Sequence, residues 1–280
     1  MRAENLIIIG LALIAVAFSA LAVLWWGRLP IQAPASRGNV GDGRWPSRLA
    51  VSLRDLGAVC SAGIICGVLV AGFLGRFVMR VLAATSGDRA QGLLTDAEEV
   101  VGEITLGGTI GFIFFVGLGA GAVAAIALLV ARPWLHLGGA AAGVMAGLVP
   151  LVLVGGKDFS SENLDFSILT PTWLAVGLIV IGTALFGAAL GSVTARLQHT
   201  AGSDSRFRNV PIAGVIPFAL VPPLLVGLVV YITGRTALPG RLSAVLKQRP
   251  IQMAGKVLVA GLVGFSLFVT VRSSVDILSI

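Results

Sequence analysis

The residues of this sequence that are best placed to do chemistry are one glutamate and two arginines. Glu103 stands at the start of a long apolar run, and Arg76 and Arg80 stand near the end of the apolar run before it. Ionisable groups inside apolar helices usually face the interior of a bundle and have a partner. Because only a short loop joins the two runs, we expect Glu103 to pair with Arg76 or Arg80.

The stretch that carries Glu103 also contains a helix-start signal. Thr95 and Glu98 have the T-x-x-E spacing of a capping box, which satisfies backbone donors at the start of a helix. Asp96, Glu99 and Glu103 recur at i, i+3 and i+7, so they share one face of the predicted helix. Acids in a first turn complement the helix dipole, and we interpret Asp96, Glu98 and Glu99 in that way.

The same face continues into a pair of glycines. Gly107 and Gly111 have the G-x-x-x-G spacing that lets a neighbouring helix approach closely. Three roles remain open for the charged residues near these glycines. The preferred role is a structural ion pair, the second is a cation or proton path that includes Glu99 and Glu103, and the third is snorkelling of Arg76 and Arg80 to the membrane interface.

Three prolines mark a second candidate region. Pro217, Pro222 and Pro223 interrupt the apolar run VIPFALVPPLLVG, where they remove backbone donors inside a predicted membrane helix. Transporters build midplane binding sites from such broken helices. A kinked helix whose free carbonyls are satisfied by its neighbours is the alternative.

Enzyme and metal signatures do not occur in the sequence. It contains no H-E-x-x-H, no P-loop and no G-x-S-x-G. Glu98 and Glu99 resemble the paired glutamates of membrane-embedded CAAX-type proteases, but Glu103 stands where that pattern has arginine, and the histidines are only His136 and His199. The two cysteines, Cys60 and Cys66, are spaced so that they cannot pair within one helix. We predict no enzymatic activity, no cofactor and no metal site.

Composition predicts the class of protein. Hydrophobic residues make up 56% of the chain, charged residues only 12%, and the mean hydropathy is +0.97, whereas soluble domains carry about 25% charged residues. The formal charge of +7 is spread over the loops without a basic stripe. We therefore predict an anionic lipid surface as partner and no nucleic acid.

Apolar runs of about 20 residues predict an all-α, polytopic transmembrane bundle of about seven helices in one domain, residues 1–280. The runs are Leu6–Trp26, Leu56–Val81, Glu103–Ala131, Leu137–Val154, Thr172–Ala195, Ile212–Thr233 and Ala254–Val271. Residues 27–50, rich in glycine, proline and arginine, are predicted to form an extended linker between the first two helices.

Orientation does not follow from the positive-inside rule, because seven crossings place ten basic residues on each side. The acidic residues favour cytoplasmic basic loops, with the N-terminus outside and the C-terminus inside. The basic loop around Arg235, Arg241, Lys247 and Arg249 then lies on the wrong side. That conflict disappears if the proline-bearing segment re-enters the membrane without crossing it.

One segment carries a resemblance to other proteins. The runs GRFVMRVLAATS, GLLTDAEEVVGEITLGGTIG and VARPWL, within residues 75–135, resemble a family of multi-spanning membrane proteins from high-GC Gram-positive bacteria. No activity is established for that family. The resemblance implies a location in the bacterial plasma membrane.

Two functions remain open on the sequence. The first is a small permease or ion-coupled transporter, with Glu103 and the broken sixth helix at its centre. The second is a membrane scaffold or accessory subunit that transports nothing. A homo-oligomer or another membrane protein is a possible partner in either case, and a cavity that reaches Glu103 would favour the transporter.

Overall fold

The computed structural model describes residues 3–31, 45–88, 90–95, 100–103, 105–135, 137–153, 159–203, 214–216, 229, 232–233 and 248–279. Its helices are α1 (Ala3–Trp26), α2 (Trp45–Cys66), α3 (Gly75–Thr85), α4 (Leu106–Phe112), α5 (Gly119–Ala131), α6 (Gly139–Leu153), α7 (Asp165–Ile168), α8 (Thr172–Ser203) and α9 (Arg249–Leu278). The predicted all-α bundle is confirmed.

Two long helical rods run through the bundle. In the first rod the π-helical segment Gly67–Leu74 joins α2 to α3, and in the second rod the π-helical segment Ile113–Leu118 joins α4 to α5. The hydrocarbon interior of a membrane offers no hydrogen-bond partners to a protein backbone. Helices are therefore expected in it, because they satisfy their own N–H and C=O groups.

Four helices in the described part of the chain are long and apolar enough to cross a membrane, which makes this a membrane protein. They are Leu49–Thr85, Leu106–Ala131, Thr172–Thr200 and Arg249–Leu278. Two shorter apolar helices, Gly10–Trp26 and Gly139–Leu153, accompany them.

The bundle has two distinct ends. At the lower end α1, α5 and α8 finish and α2, α6 and α9 begin; at the upper end the directions are reversed. The amide of Gly139 donates to the carbonyl oxygen of Leu29 at 2.8 Å, which ties α6 to the end of α1. Gly255, near the start of α9, lies against the indole of Trp134 at the lower end. Ile277, near the end of α9, packs in the upper cluster with Phe166.

Glycine brings α6 and α8 into backbone contact. Gly139, Gly143 and Gly147 recur every four residues along α6 and face Gly187 and Gly191 of α8. A methyl group at Gly139 would lie 2.7 Å from the carbonyl oxygen of Gly191, so no larger residue fits at this separation. Such close approach is the main source of helix association in lipid, where burial of apolar surface adds little.

A second glycine crossing joins the two rods. Gly63 and Gly67 of the first rod face Gly117 and Gly121 of the second. A methyl group at Gly63 would lie 2.8 Å from the carbonyl oxygen of Gly121. The two π-helical segments therefore pack against each other next to this crossing.

The predicted third span, Glu103–Ala131, agrees with the observed Leu106–Ala131 to within three residues, but the helix start predicted at the capping box of Thr95 and Glu98 is wrong. The helix begins at Leu106, and its N-cap is Thr105, whose hydroxyl oxygen accepts from the amide of Gly108 at 3.0 Å. Thr95 is not helical, and residues on either side of the proposed capping box, Leu94 and Val100, form an antiparallel bridge instead. A threonine closer to the apolar run caps the helix, because the capping hydroxyl must adjoin its first turn.

The predicted linker is shorter than expected, because α2 begins at Trp45 rather than after residue 50. The last helix is longer at both ends than predicted, and it runs from Arg249 to Leu278.

The proline-bearing segment cannot be compared with its prediction in the same way. Pro217, Pro222 and Pro223 lie outside the described residues, so the predicted helix break stays a prediction.

The glycine contacts give the first prediction. Gly191→Ala should lower the free energy of unfolding by about 1–3 kcal/mol, the usual cost of overpacking, because the new methyl group would strike the backbone of Gly139. Gly177→Ala, on the same helix but with no atom near the added methyl group, is the control and should be neutral or slightly stabilising. Thermal unfolding in detergent measures both, and equal effects would contradict the contact.

Candidate functional site

A cavity of about 790 Å³ opens at the upper end of the bundle. Its walls come from α3, α4 and α8, with the loop at 100–103 and α7 around its mouth. The three residues at the centre of the sequence prediction, Arg76, Arg80 and Glu103, all line it. The structure thus brings them together, although not as the predicted ion pair.

Arg76 is held deep in the wall, with 9% of its surface exposed. One guanidinium nitrogen, Nη2, lies 3.4 Å from the hydroxyl oxygen of Thr109, and the group lies over the ring of Phe112 at 5.7 Å. Both partners belong to α4, on the opposite rod. A guanidinium group stacks well on an aromatic face, so this contact orients the donors of Arg76.

Arg80 contacts the loop that carries Glu103, but through the backbone. Its Nη1 donates to the carbonyl oxygen of Gly102 at 2.7 Å. Gly102 has φ of +91°, a backbone conformation that favours glycine. This bond ties α3 to the residue immediately before Glu103.

The predicted position of Glu103 is wrong. It precedes the helix rather than lying two turns inside it, and it is exposed. In the part of the chain that the structure describes, its carboxylate forms no ion pair with Arg76 or Arg80. The helix starts later than the acidic pattern indicated, so Glu103 stays in the loop at the mouth, where water can solvate it.

The predicted glycine contact face has another use. A methyl group added at Gly107 or Gly111 would meet nothing within 4 Å, so neither residue makes a close helix contact. Both line the cavity instead. The missing side chains create space there, and the glycines that do allow backbone contact, Gly117 and Gly121, are about two to four turns further along.

The floor of the cavity is apolar and belongs partly to the two π-helical segments. Val70, Leu74, Phe115 and Val116 come from these segments, and Phe186 of α8 completes the floor. π-helical turns often mark functional sites because the extra residue in the turn redirects the side chains that follow. Here both of the described π-helical segments line the same cavity.

A buried ion pair closes the lower end of the bundle, and the sequence reasoning missed it. Arg132, just after α5, donates from Nη1 and Nη2 to the two carboxylate oxygens of Asp55 on α2 at 2.8 and 2.5 Å. The amide nitrogen Nε2 of Gln198 on α8 donates to the same carboxylate at 2.9 Å. We call this three-residue cluster the lower clasp.

The lower clasp is well shielded from solvent, since the side chains of Arg132 and Asp55 are only 1% and 13% exposed. It links α2, α5 and α8, which are distant in sequence. A bidentate guanidinium–carboxylate pair is among the strongest polar contacts in proteins. The available signal was Asp55 itself, a lone acid within a basic and apolar stretch, and its partner could not be read from spacing.

The remaining candidates have the following positions. Glu99, with Asp96, Glu98 and His136, lies outside the described residues. Cys60 and Cys66 are buried and free. No group of His, Cys, Asp and Glu that could hold a metal ion occurs within the described ranges.

Comparison with protein-family models, with curated proteins and with solved structures gives no match for this chain. The resemblance of residues 75–135 to a bacterial membrane-protein family therefore stays a prediction.

The lower clasp gives the second prediction. Asp55→Asn or Arg132→Gln should each cost about 3–5 kcal/mol of stability, because each change removes one charge of a buried ion pair. The double variant should lose much less than the sum of the two, which a double-mutant cycle in detergent would show.

The control for this cycle is the pair Arg272 and Asp276 on α9. Their charged atoms are 3.7 Å apart, and their side chains are 72% and 53% exposed, so the same cycle should give only about 0.3–0.5 kcal/mol. Strict additivity at Asp55 and Arg132 would show that the lower clasp is not energetically coupled.

Proposed function

We propose that this chain is a small permease of the bacterial plasma membrane and that the upper cavity is its substrate site. The observation that carries the proposal is a cavity of about 790 Å³ that reaches Glu103 at its mouth and two arginines within its wall. Sites for small molecules have volumes of about 300–1,000 Å³ and combine apolar walls with a few polar groups.

The two ends of the bundle support transport in a second way. The upper end holds the cavity, while the lower end is closed by glycine contacts and by the lower clasp. Transporters expose a binding site to one side of the membrane at a time and seal the other. In this proposal the structure corresponds to the state open at the upper end, and separation of Arg132 from Asp55 accompanies opening of the lower end.

Charge supports an orientation. Seven of the ten Lys and Arg residues in the described ranges lie at the lower end, and they are Arg28, Arg48, Arg54, Arg132, Arg196, Arg249 and Lys256. The three at the upper end are Arg76, Arg80 and Arg272. Six of the seven acids in the same ranges lie at the upper end, and the exception is Asp55.

The positive-inside rule then favours a cytoplasmic lower end and a cavity that opens outside the cell. The predicted tie of ten against ten assumed seven crossings, which place the start of α9 at the opposite end of the bundle from the end of α8. In the structure both lie at the lower end. The lower end, rich in Lys and Arg, also suits contact with the anionic lipids of a cytoplasmic leaflet.

Orientation gives the third prediction. Single cysteines at Ser161 and Ser279, both exposed at the upper end, should react with an impermeant thiol reagent in intact cells. A cysteine at Arg28, exposed at the lower end, should react only after the cells are opened. Protection of Ser279→Cys in intact cells would contradict the proposed topology, because a seven-crossing chain places its two ends on opposite sides.

Transport itself gives the fourth prediction. Proteoliposomes that contain the full chain should take up at least one member of a mixture of amino acids, sugars, carboxylates, nucleosides and lysophospholipids, read by mass spectrometry of the washed vesicles. Gly182→Leu should abolish that uptake, because Gly182 lines the cavity and has open space beside it, so the leucine fills the cavity without displacing its neighbours.

The matched control is Gly177→Leu. Gly177 lies on the same helix, also has open space beside it and does not line the cavity, so uptake should be retained. If no solute enters, or if Gly182→Leu transports as well as the parent, the permease proposal is wrong and a scaffold role becomes the better interpretation.

A further inference from the structure

We infer that the upper cavity takes its ligand from the membrane. One acyl chain of a bilayer lipid enters it sideways, through a gap between α4 and α8, while the headgroup of the lipid stays at the mouth. This inference rests on the proposed function, since it names the substrate class and the entry path of the same site. The cavity has three walls, α3, α4 and α8, so three seams decide how a ligand can reach it.

The seam between α3 and α4 is closed. Nη2 of Arg76 on α3 lies 3.4 Å from the hydroxyl oxygen of Thr109 on α4. A methyl group added at Gly75 would lie 2.8 Å from the ring of Phe112, so this ring fills the space between the two helices. A lipid chain cannot pass between them at this level.

The seam between α3 and α8 is closed as well. Ser86 follows α3 and Thr170 precedes α8, and the amide of Thr170 donates to the hydroxyl oxygen of Ser86 at 2.9 Å. Leu82 of α3 and Ala175 of α8 are buried in the same upper cluster. These contacts hold the end of α3 against the beginning of α8.

The seam between α4 and α8 is open. None of the seven residues of α4 is buried. Gly107 and Gly111 on α4 and Gly182 on α8 line the cavity, and a methyl group added at any of them would meet no atom within 4 Å. Within the described ranges no hydrogen bond or ion pair joins α4 to α8. We call this opening the side gap.

The side gap lies at the depth of the hydrocarbon layer. The second rod and α8 both begin at the upper end, at Leu106 and Thr172. At about 1.5 Å per residue, Phe115 and Gly182 lie about 14 and 15 Å below these starts. The hydrocarbon layer is about 30 Å thick and a helix of this length exceeds it by only a few residues at each end, so both residues lie well inside it.

The lipid-facing surface continues into the cavity on both sides of the side gap. Phe115 lines the cavity and is nevertheless 75% exposed, and its neighbour Phe114 is exposed too. On α8 the exposed Ile181 stands next to Gly182. Because these residues belong to membrane spans, acyl chains cover the outer surface at their level. The same chains can reach the cavity without crossing a polar layer.

The floor of the cavity suits a hydrocarbon chain. Val70, Leu74, Val116 and Phe186 are apolar and line it. A polar solute bound at this level would face hydrocarbon through the side gap, and an unpaired polar group in such surroundings is costly. The volume of about 790 Å³ lies within the range for one small ligand. This size favours one acyl chain inside the cavity, with the second chain of the lipid left in the bilayer.

Photo-crosslinking of the full chain in nanodiscs tests the inference. The probe is a two-chain phosphatidylcholine with a photoactivatable group at the end of one acyl chain, and the labelled residues are identified by mass spectrometry. Val70 and Phe186 line the floor and are buried from the outer surface, so label on them reports a chain inside the cavity. We expect label on both. Phe268, exposed on α9 outside the cavity, reports contact with bulk lipid and should always be labelled.

Two matched pairs of variants test the path through the side gap. Gly111→Leu and Gly182→Leu narrow it from its two sides at positions with open space, and each should abolish the floor label while Phe268 stays labelled. The controls are Gly119→Leu on the second rod and Gly177→Leu on α8. Both positions also have open space and neither lines the cavity, so the floor label should be retained.

A second probe tests the source of the chain. It is a single-chain lysophosphatidylcholine that carries the same photoactivatable group. Floor label from this probe, with none from the two-chain lipid, would mean that the ligand enters through the mouth, and the inference is then wrong. It is equally wrong if the floor label from the two-chain lipid survives both Gly111→Leu and Gly182→Leu.

The outcomes also separate this inference from the proposed function. Floor label that behaves as expected, in a chain that transports nothing, supports the inference and overturns the permease. Uptake of a water-soluble solute, blocked by Gly182→Leu and without floor label from the two-chain lipid, supports the permease and overturns the inference.

Discussion

Backbone contact between helices determines how this bundle is assembled. Lipid removes most of the gain from burying apolar side chains, so helices associate through close packing and a few polar contacts. Glycines at every fourth residue supply that packing for α6 with α8 and for the two rods with each other. Where the glycine contacts end, toward the upper end, the helices are no longer held at backbone distance and the cavity appears between them.

The lower clasp complements the glycine contacts. It adds a directional polar contact among three helices that glycine alone would leave free to slide. A buried pair of this kind contributes less net stability than its geometry suggests, since desolvation offsets much of the attraction. Its geometry favours one arrangement of α2, α5 and α8, because the three side chains meet only when these helices are in register.

Much of the architecture could be predicted from the sequence, because uninterrupted apolar runs leave few alternatives to membrane helices. The ends of α1, α6 and α8 near Trp26, Leu153 and Thr172 agree closely with the predicted boundaries. The helix start predicted from the capping box does not agree with the observed start of α4 at Leu106. A four-residue T-x-x-E pattern often occurs by chance, whereas a long apolar run does so much less often. The close helix contact predicted at Gly107 and Gly111 is not made, because G-x-x-x-G spacing permits such a contact without requiring one.

The candidate site was predicted in part. Arg76, Arg80 and Glu103 do line one cavity, because a short loop joins the rods that carry them. Their pairing was wrong, since it assumed that Glu103 was helical. Asp55 and Arg132 could not be paired from sequence, because 77 positions separate them and only the helix arrangement brings them together.

The π-helical segment Gly67–Leu74 has a consequence for how such a cavity could arise. Each residue of a regular helix turns the chain by about 100°, and a π-helical turn accommodates one residue more than an α-helical turn. Arg76 and Arg80 follow this segment, so the direction in which they point depends on the number of residues before them. Gain or loss of one codon in this stretch would swing both arginines about a quarter of the way around the helix, and a lineage could thus have acquired or lost a charged cavity wall in a single step.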